Sequence, residues 1–89
     1  MKQISCSHLN AITTVTTGPG YFCEECIKHN QQWVHLRTCQ ECGVTLCCDS
    51  SPNQHMTKHS TASGHPVAAS AEPGERWLWC YIDEEIKNY

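Results

Sequence analysis

The chain has 89 residues, of which 39% are apolar with its 8 cysteines counted in, and Leu, Ile, Val and Phe together number only 14. A chain this short buries only roughly 60–65% of the surface it exposes when unfolded, so a large oily core is excluded and something besides burial must hold the fold. No apolar run reaches the length of a membrane span or a signal-peptide core, and 6 Lys plus Arg against 9 Asp plus Glu leave no basic stripe for nucleic acid or a membrane surface.

Taken in chain order, Met1-Lys2-Gln3-Ile4-Ser5-Cys6 lacks an export signal, so the expected compartment is the reducing cytoplasm, where clustered cysteines read as metal ligands rather than disulfides. Thr13 to Gly20 is a polar loop ending in a Gly-Pro-Gly turn signal. Trp33 to Thr38 reads as a short strand, with Trp33, His35 and Arg37 on one face and Val34, Leu36 and Thr38 on the other. Cys39-Gln40-Glu41-Cys42-Gly43 follows as a knuckle whose glycine permits a tight turn, and Val44 to Cys47 returns as a second strand. Ser51 and Pro52 suit the N-cap and first position of a helix running to about Thr61, with Gly64 beyond its end. Pro66 to Ser70 is a third strand, and Glu72-Pro73-Gly74-Glu75 a type II turn. In the strand Trp77 to Ile82, the residues Trp77, Trp79 and Tyr81 face one way and Leu78, Cys80 and Ile82 the other. Asp83-Glu84-Glu85-Ile86 reads as the start of a frayed terminal helix, because acids suit a first helical turn.

Cysteines and histidines recur at metal-ligand spacings: Cys6-x-His8, Cys23-x2-Cys26, Cys39-x2-Cys42, Cys47, His55-x3-His59, His65 and Cys80. A Cys-x2-Cys turn aims two sulfurs at one tetrahedral zinc about 2.3 Å away, and two such pairs with spaced histidines point to several structural zincs. Spacing alone does not partition the ligands. His55 and His59 share one helix face and serve either one zinc or two on either side of the helix.

The order Cys-x-His, Cys-x2-Cys, a seven-residue step to Trp33, Cys-x2-Cys-x4-Cys, His-x3-His-x5-His-Pro and Trp79-Cys80-Tyr81 resembles the ubiquitin-specific-protease-type zinc finger, the ubiquitin-binding zinc finger, over about residues 6–83. Cys47-Cys48-Asp49-Ser50-Ser51-Pro52 and Glu72-Pro73-Gly74-Glu75 are similar to small stand-alone bacterial members. The resemblance implies one α+β domain over residues 1–89, with a short twisted antiparallel sheet, one main helix and three interleaved zincs. It assigns Cys23, Cys26, Cys47 and His55 to one zinc, Cys39, Cys42, His59 and His65 to a second, and Cys6, His8 and Cys80 to a third. The fourth ligand of the third site is a cysteine in three-zinc relatives; here that position is Asp83, whose carboxylate oxygen also binds zinc. Seven ligand thiolates contribute −7 and three zincs +6, which leaves the loaded protein near −4. His29 and His35 match no ligand position, and the x4 step selects Cys47 over Cys48 as ligand.

In ubiquitin-binding relatives an aromatic pocket takes a free Gly-Gly carboxylate, which an arginine pairs. Trp33, Trp79 and Tyr81 match the aromatics, but the arginine position is occupied by Asp49, which repels a carboxylate and suits a cation. Arg37, on the strand face of Trp33, is a candidate replacement, with Arg76 behind it. The expectation is a monomeric, non-enzymatic module that binds a protein or peptide partner, a C-terminal tail or a small ligand, in an aromatic cleft. Recognition of a ubiquitin-like Gly-Gly end and thiol or metal sensing at Cys48 are the alternatives.

Overall fold

The computed structural model describes residues 6–18 and 20–89. Met1–Ser5 and Pro19, the centre of the expected Gly-Pro-Gly turn, lie outside the described residues. The elements are α1 (Ser7–Asn10), α2 (Glu24–Lys28), β1 (Leu36–Cys39), β2 (Thr45–Cys47), α3 (His55–Ser63), β3 (Val67–Ser70), β4 (Trp77–Cys80) and β5 (Glu85–Asn88). The strands form one five-stranded sheet in the order β2-β1-β3-β4-β5, with every pair antiparallel. This is the expected α+β architecture, with α3 the longest helix. No described helix is long and apolar enough to cross a membrane.

Cross-strand partners share a face, and the register divides the molecule into two small cores. Val67, Ala69, Leu78 and Cys80 face α1 and bury Leu9 and Cys6. On the other face Leu46, Cys39 and Ala68 pack with Met56 of α3, and Trp33 and Tyr81 lean on this cluster. Trp77 and Trp79 belong to that second face too, as the alternation of β4 requires, but α3 covers only the β1–β2 end of it. The aromatic end of the sheet is therefore left partly open.

Three local features differ from the sequence reading. The main helix begins at His55 rather than Pro52. Ser51 is buried and its hydroxyl accepts the Val34 N–H at 2.8 Å, so it is not free to cap a helix. Gln54 instead turns the chain through the left-handed region (φ 46°), and the His55 N–H donates to the Cys47 sulfur at 3.2 Å. At the other end Gly64 closes the helix at φ +78°, a conformation glycine adopts without steric cost.

The second difference is the chain end, which is strand β5 and not a helix. Residues 81–84 turn sharply, Glu84 N–H reaches Cys80 C=O at 2.9 Å, and the chain folds back to pair with the otherwise open edge of β4. Asp83 is held at the turn by its N–H to the Cys80 sulfur (3.4 Å), which prevents the acidic run from winding into a helix.

Third, two short helices, α1 and α2, stand where no helix is expected from the sequence. Their N-caps are Cys6 and Cys23, whose sulfurs accept from Leu9 N–H (3.5 Å) and Cys26 N–H (3.3 Å). The knuckle and type II turn form as expected: Gly43 (φ +80°) closes the Cys39–Cys42 turn, and Gly74 (φ +83°) occupies the third position of the Glu72–Glu75 turn.

Candidate functional site

Three groups of ligand atoms converge. Cys23, Cys26, Cys47 and His55 form one; Cys39, Cys42, His59 and His65 the second; Cys6, His8, Cys80 and Asp83 the terminal one; within each, the donor atoms lie inside 4.8 Å of one another. His55 and His59 point to different groups although they share α3, which answers the question the spacing left open.

The spacing of the atoms tests whether zinc fits. Zinc bonds of about 2.3 Å to sulfur and 2.0–2.1 Å to nitrogen make a tetrahedron with edges of roughly 3.5–3.8 Å. In the first group His55 Nδ1 lies 3.5, 3.3 and 3.4 Å from the sulfurs of Cys23, Cys26 and Cys47, and Cys26 Sγ lies 3.8 Å from Cys47 Sγ. In the second, His65 Nδ1 is 3.5 Å from Cys39 Sγ and His59 Nε2 is 3.4 Å from Cys42 Sγ. Both groups have the dimensions of a four-ligand zinc centre.

The terminal group has two different kinds of edge. His8 Nδ1 stands 3.8 and 3.6 Å from Cys6 and Cys80 Sγ, while Asp83 Oδ2 is only 2.8 Å from Cys6 Sγ and 2.9 Å from His8 Nδ1. These last two are hydrogen-bond lengths, and the hydrogen bond from Cys6, then that from His8, hold the Asp83 carboxyl below its usual pKa.

Protonation and metal binding compete at these thiols. Burial first, then the neighbouring thiols, push Cys26 up to about 12, and burial with the Asp83 hydrogen bond pushes Cys6 to about 11. Cys39 and Cys47 are raised by burial as well. These thiols ionise at neutral pH only when a cation offsets the lost hydration. Burial lowers the pKa of His55 and His59, which keeps both imidazoles neutral and able to donate a lone pair.

The remaining cysteine, Cys48, is buried outside every group, and its sulfur accepts the Ser50 N–H at 3.4 Å. His29 lies near Glu25 on α2 (3.6 Å), and His35 is exposed ahead of β1; neither joins a group.

Beside these groups lies the open aromatic end of the sheet. Arg37 projects from strand β1 with its guanidinium carbon 5.2 Å from the Trp77 ring centre and 5.8 Å from that of Tyr81. Its Nη1 donates to Tyr81 Oη at 3.0 Å, while its Nε–H is buried without a partner among the described residues. Trp79 stands edge-on to Tyr81 with ring centres 6.4 Å apart. Arg37, Trp77, Cys48, Ser50 and His35 line a cavity of about 170 Å³. Two carboxylates, Glu72 and Glu75, also line it, but both are engaged: Glu72 accepts from Leu36 N–H (2.8 Å) and Tyr21 Oη–H (2.6 Å), and Glu75 from Ser70 Oγ–H (2.6 Å). No described acidic side chain forms an ion pair with Arg37.

Asp49 is exposed and accepts from the Thr57 hydroxyl on α3. Its charge still acts on Tyr81, whose pKa is raised by burial, opposed by Arg37 and reinforced by Asp49. Trp33 and Tyr81 pack against the core cluster and, like Asp49 and Trp79, do not line the cavity. Trp77, which shares the expected face of Trp79 and Tyr81, lies against the arginine. Its alternation with Trp79 and Tyr81 is the signal that places it there.

Residues 23–88 match the family described as a Zn-finger in ubiquitin-hydrolases and other protein (zf-UBP). The chain belongs to this family. It is a zinc-binding domain, and the first two ligand groups with Cys80 and Asp83 of the third fall inside the matched span. Among solved structures, the solution NMR structure of protein RPA1320 from Rhodopseudomonas palustris is similar over 98% of this chain and 84% of that one, with 42% identity and a TM-score of 0.84. No curated protein matches the chain.

Proposed function

We propose that this zf-UBP domain is a cytoplasmic, non-enzymatic module that holds three zincs and binds the free carboxylate end of a peptide tail in the cavity lined by Arg37 and Trp77, with Tyr81 holding the guanidinium from behind. The observation that carries the reading is the unpartnered, buried Nε–H of Arg37 between two aromatic rings. An unsatisfied buried donor costs about 1–3 kcal/mol, more on a charged group, and the guanidinium that carries it lines the cavity, where an incoming carboxylate pairs with its charge. Trp77 walls the cavity for a narrow, extended tail, and the two carboxylates that line it, Glu72 and Glu75, accept hydrogen bonds from donors of their own chain. Asp49 near Tyr81 favours a cationic group further along the tail and disfavours a second anion. Four protein ligands per group leave no coordination position reserved for water, which supports a structural rather than catalytic role for the zincs.

The test is an NMR titration of the zinc-loaded protein with a peptide ending in a free Gly-Gly carboxylate, with its amidated copy as control. Saturable shifts at Trp77, Tyr81 and the Arg37 side chain are expected with the free acid and not with the amide. Arg37→Gln weakens the interaction roughly 10- to 100-fold, the loss of one charge-assisted contact. Equal binding of the amide, or no saturable shifts with the free acid, overturns the carboxylate reading.

A further inference from the structure

Beside the terminal group, and outside its four converging donors, lies a second carboxylate. Glu85 opens β5 and is the cross-strand partner of Cys80, so both side chains leave the same face of the sheet from neighbouring backbone positions. Glu85 lines, with Cys6, His8 and Asp83, a cavity of about 290 Å³. Its Oε2 is shielded from solvent and has no hydrogen-bond partner among the described residues. A carboxylate oxygen withdrawn from water without a donor is costly unless a cation lies near. The four-ligand group beside it is where a cation belongs, and its own carboxylate, Asp83, is exposed and stands at hydrogen-bond distance from its neighbours.

We propose that Glu85 is a reserve ligand of the terminal zinc centre, with its free oxygen able to take a coordination position beside Asp83 or in its place. This rests on the reading that the terminal group holds zinc at all. Structural zinc is almost always four-coordinate, so exchange of Asp83 for Glu85 is the main route, with five-coordination a transient one. Neither closed Cys/His group includes a carboxylate, so the terminal centre alone has an oxygen pair through which its zinc is held, exchanged or replaced. Two carboxylates also make this centre less selective for soft ions than the other two.

Native mass spectrometry counts the ions on the full chain and on Asp83→Ala, Glu85→Gln and the double variant, with chelator competition for the most weakly held ion. The wild type is expected to carry three zincs. Asp83→Ala keeps the third, held about 10-fold more weakly, because Glu85 replaces the lost oxygen. The double variant carries two, and those two show that the rest of the fold is intact. If the double variant holds its third zinc as firmly as Asp83→Ala, or if Asp83→Ala alone already carries two, Glu85 is not a ligand and the proposal fails. A wild type with only two zincs overturns the terminal centre itself, an outcome separate from the failure of Glu85.

Discussion

Cys47 and Cys48 are neighbours in sequence and both are buried, yet substituting serine at each has opposite consequences. Cys47 Sγ faces His55 Nδ1 at 3.4 Å and Cys26 Sγ at 3.8 Å, and it accepts the N–H that starts α3. A structural zinc in a finger contributes roughly 10–16 kcal/mol of apparent binding energy. The net stability of a small domain is about 5–15 kcal/mol, so serious weakening of one centre removes the margin by which the fold exists. Cys47→Ser is therefore expected to lose one zinc and cooperative folding together. Cys48→Ser keeps an acceptor for the Ser50 N–H and touches no ligand group. Its cost is that of a small polar-for-sulfur exchange in a buried position, about 1 kcal/mol, or roughly 4–8 °C of melting temperature for a domain of this size. Zinc content by native mass spectrometry and thermal unfolding followed by circular dichroism separate the two. Comparable damage from both variants, or a zinc lost from Cys48→Ser, would refute the ligand assignment and the energetic ordering built on it.

Loading zinc into the metal-free protein should release about seven protons at pH 7, one per ligand cysteine. Calorimetry in two buffers of different ionisation enthalpy measures this, and a release near zero would mean that the thiols are not the ligands. The same linkage sets the pH dependence: the buried thiols take their protons back as pH falls, so zinc affinity falls with it. His55 and His59, depressed by burial, add to that direction, because the unfolded chain binds their protons first as pH drops below the ordinary histidine value of about 6.5. Gly18→Ala places a Cβ 1.9 Å from Thr45 Oγ1, a buried hydroxyl bonded to Thr38 at 3.0 Å, and should destabilise by about 1–3 kcal/mol. An unchanged melting temperature would show that the loop moves freely away from β2.

The sheet's central elements were legible in the sequence because alternation is a local property: β2, β3 and β4 lie within the expected segments, and the faces of Trp77, Leu78, Trp79 and Cys80 follow from period two, whereas β1 overlaps its expected segment but starts only at Leu36 and runs on into Cys39, so that Trp33 to His35 precede the strand. The helix starts were not, since capping is read from Ser, Thr, Asp and Asn, whereas this chain caps with sulfur at Cys6, Cys23 and Cys47. Ser51 carries the usual signal and is spent on Val34. The acids after Cys80 suit a helix by composition, but Asp83 and the open edge of β4 draw them into β5, a tertiary effect with no local trace. The pairing of Arg37 with Trp77 depends on how β1 and β4 flank β3, which no single segment encodes.

Sulfur capping has a consequence for how the molecule assembles. Helices of four and five residues, such as α1 and α2, have no independent existence in water, because nucleation costs more than one turn returns. Each is written into the chain immediately after the cysteine that caps it, and α3 starts on the sulfur of Cys47. Helix content in this protein is thus a readout of occupancy at two of the three groups: an ion held by Cys23 and Cys47 fixes the sulfurs on which α2 and α3 start, one held by Cys6 fixes that of α1, and a departing ion leaves those helices without their first anchor.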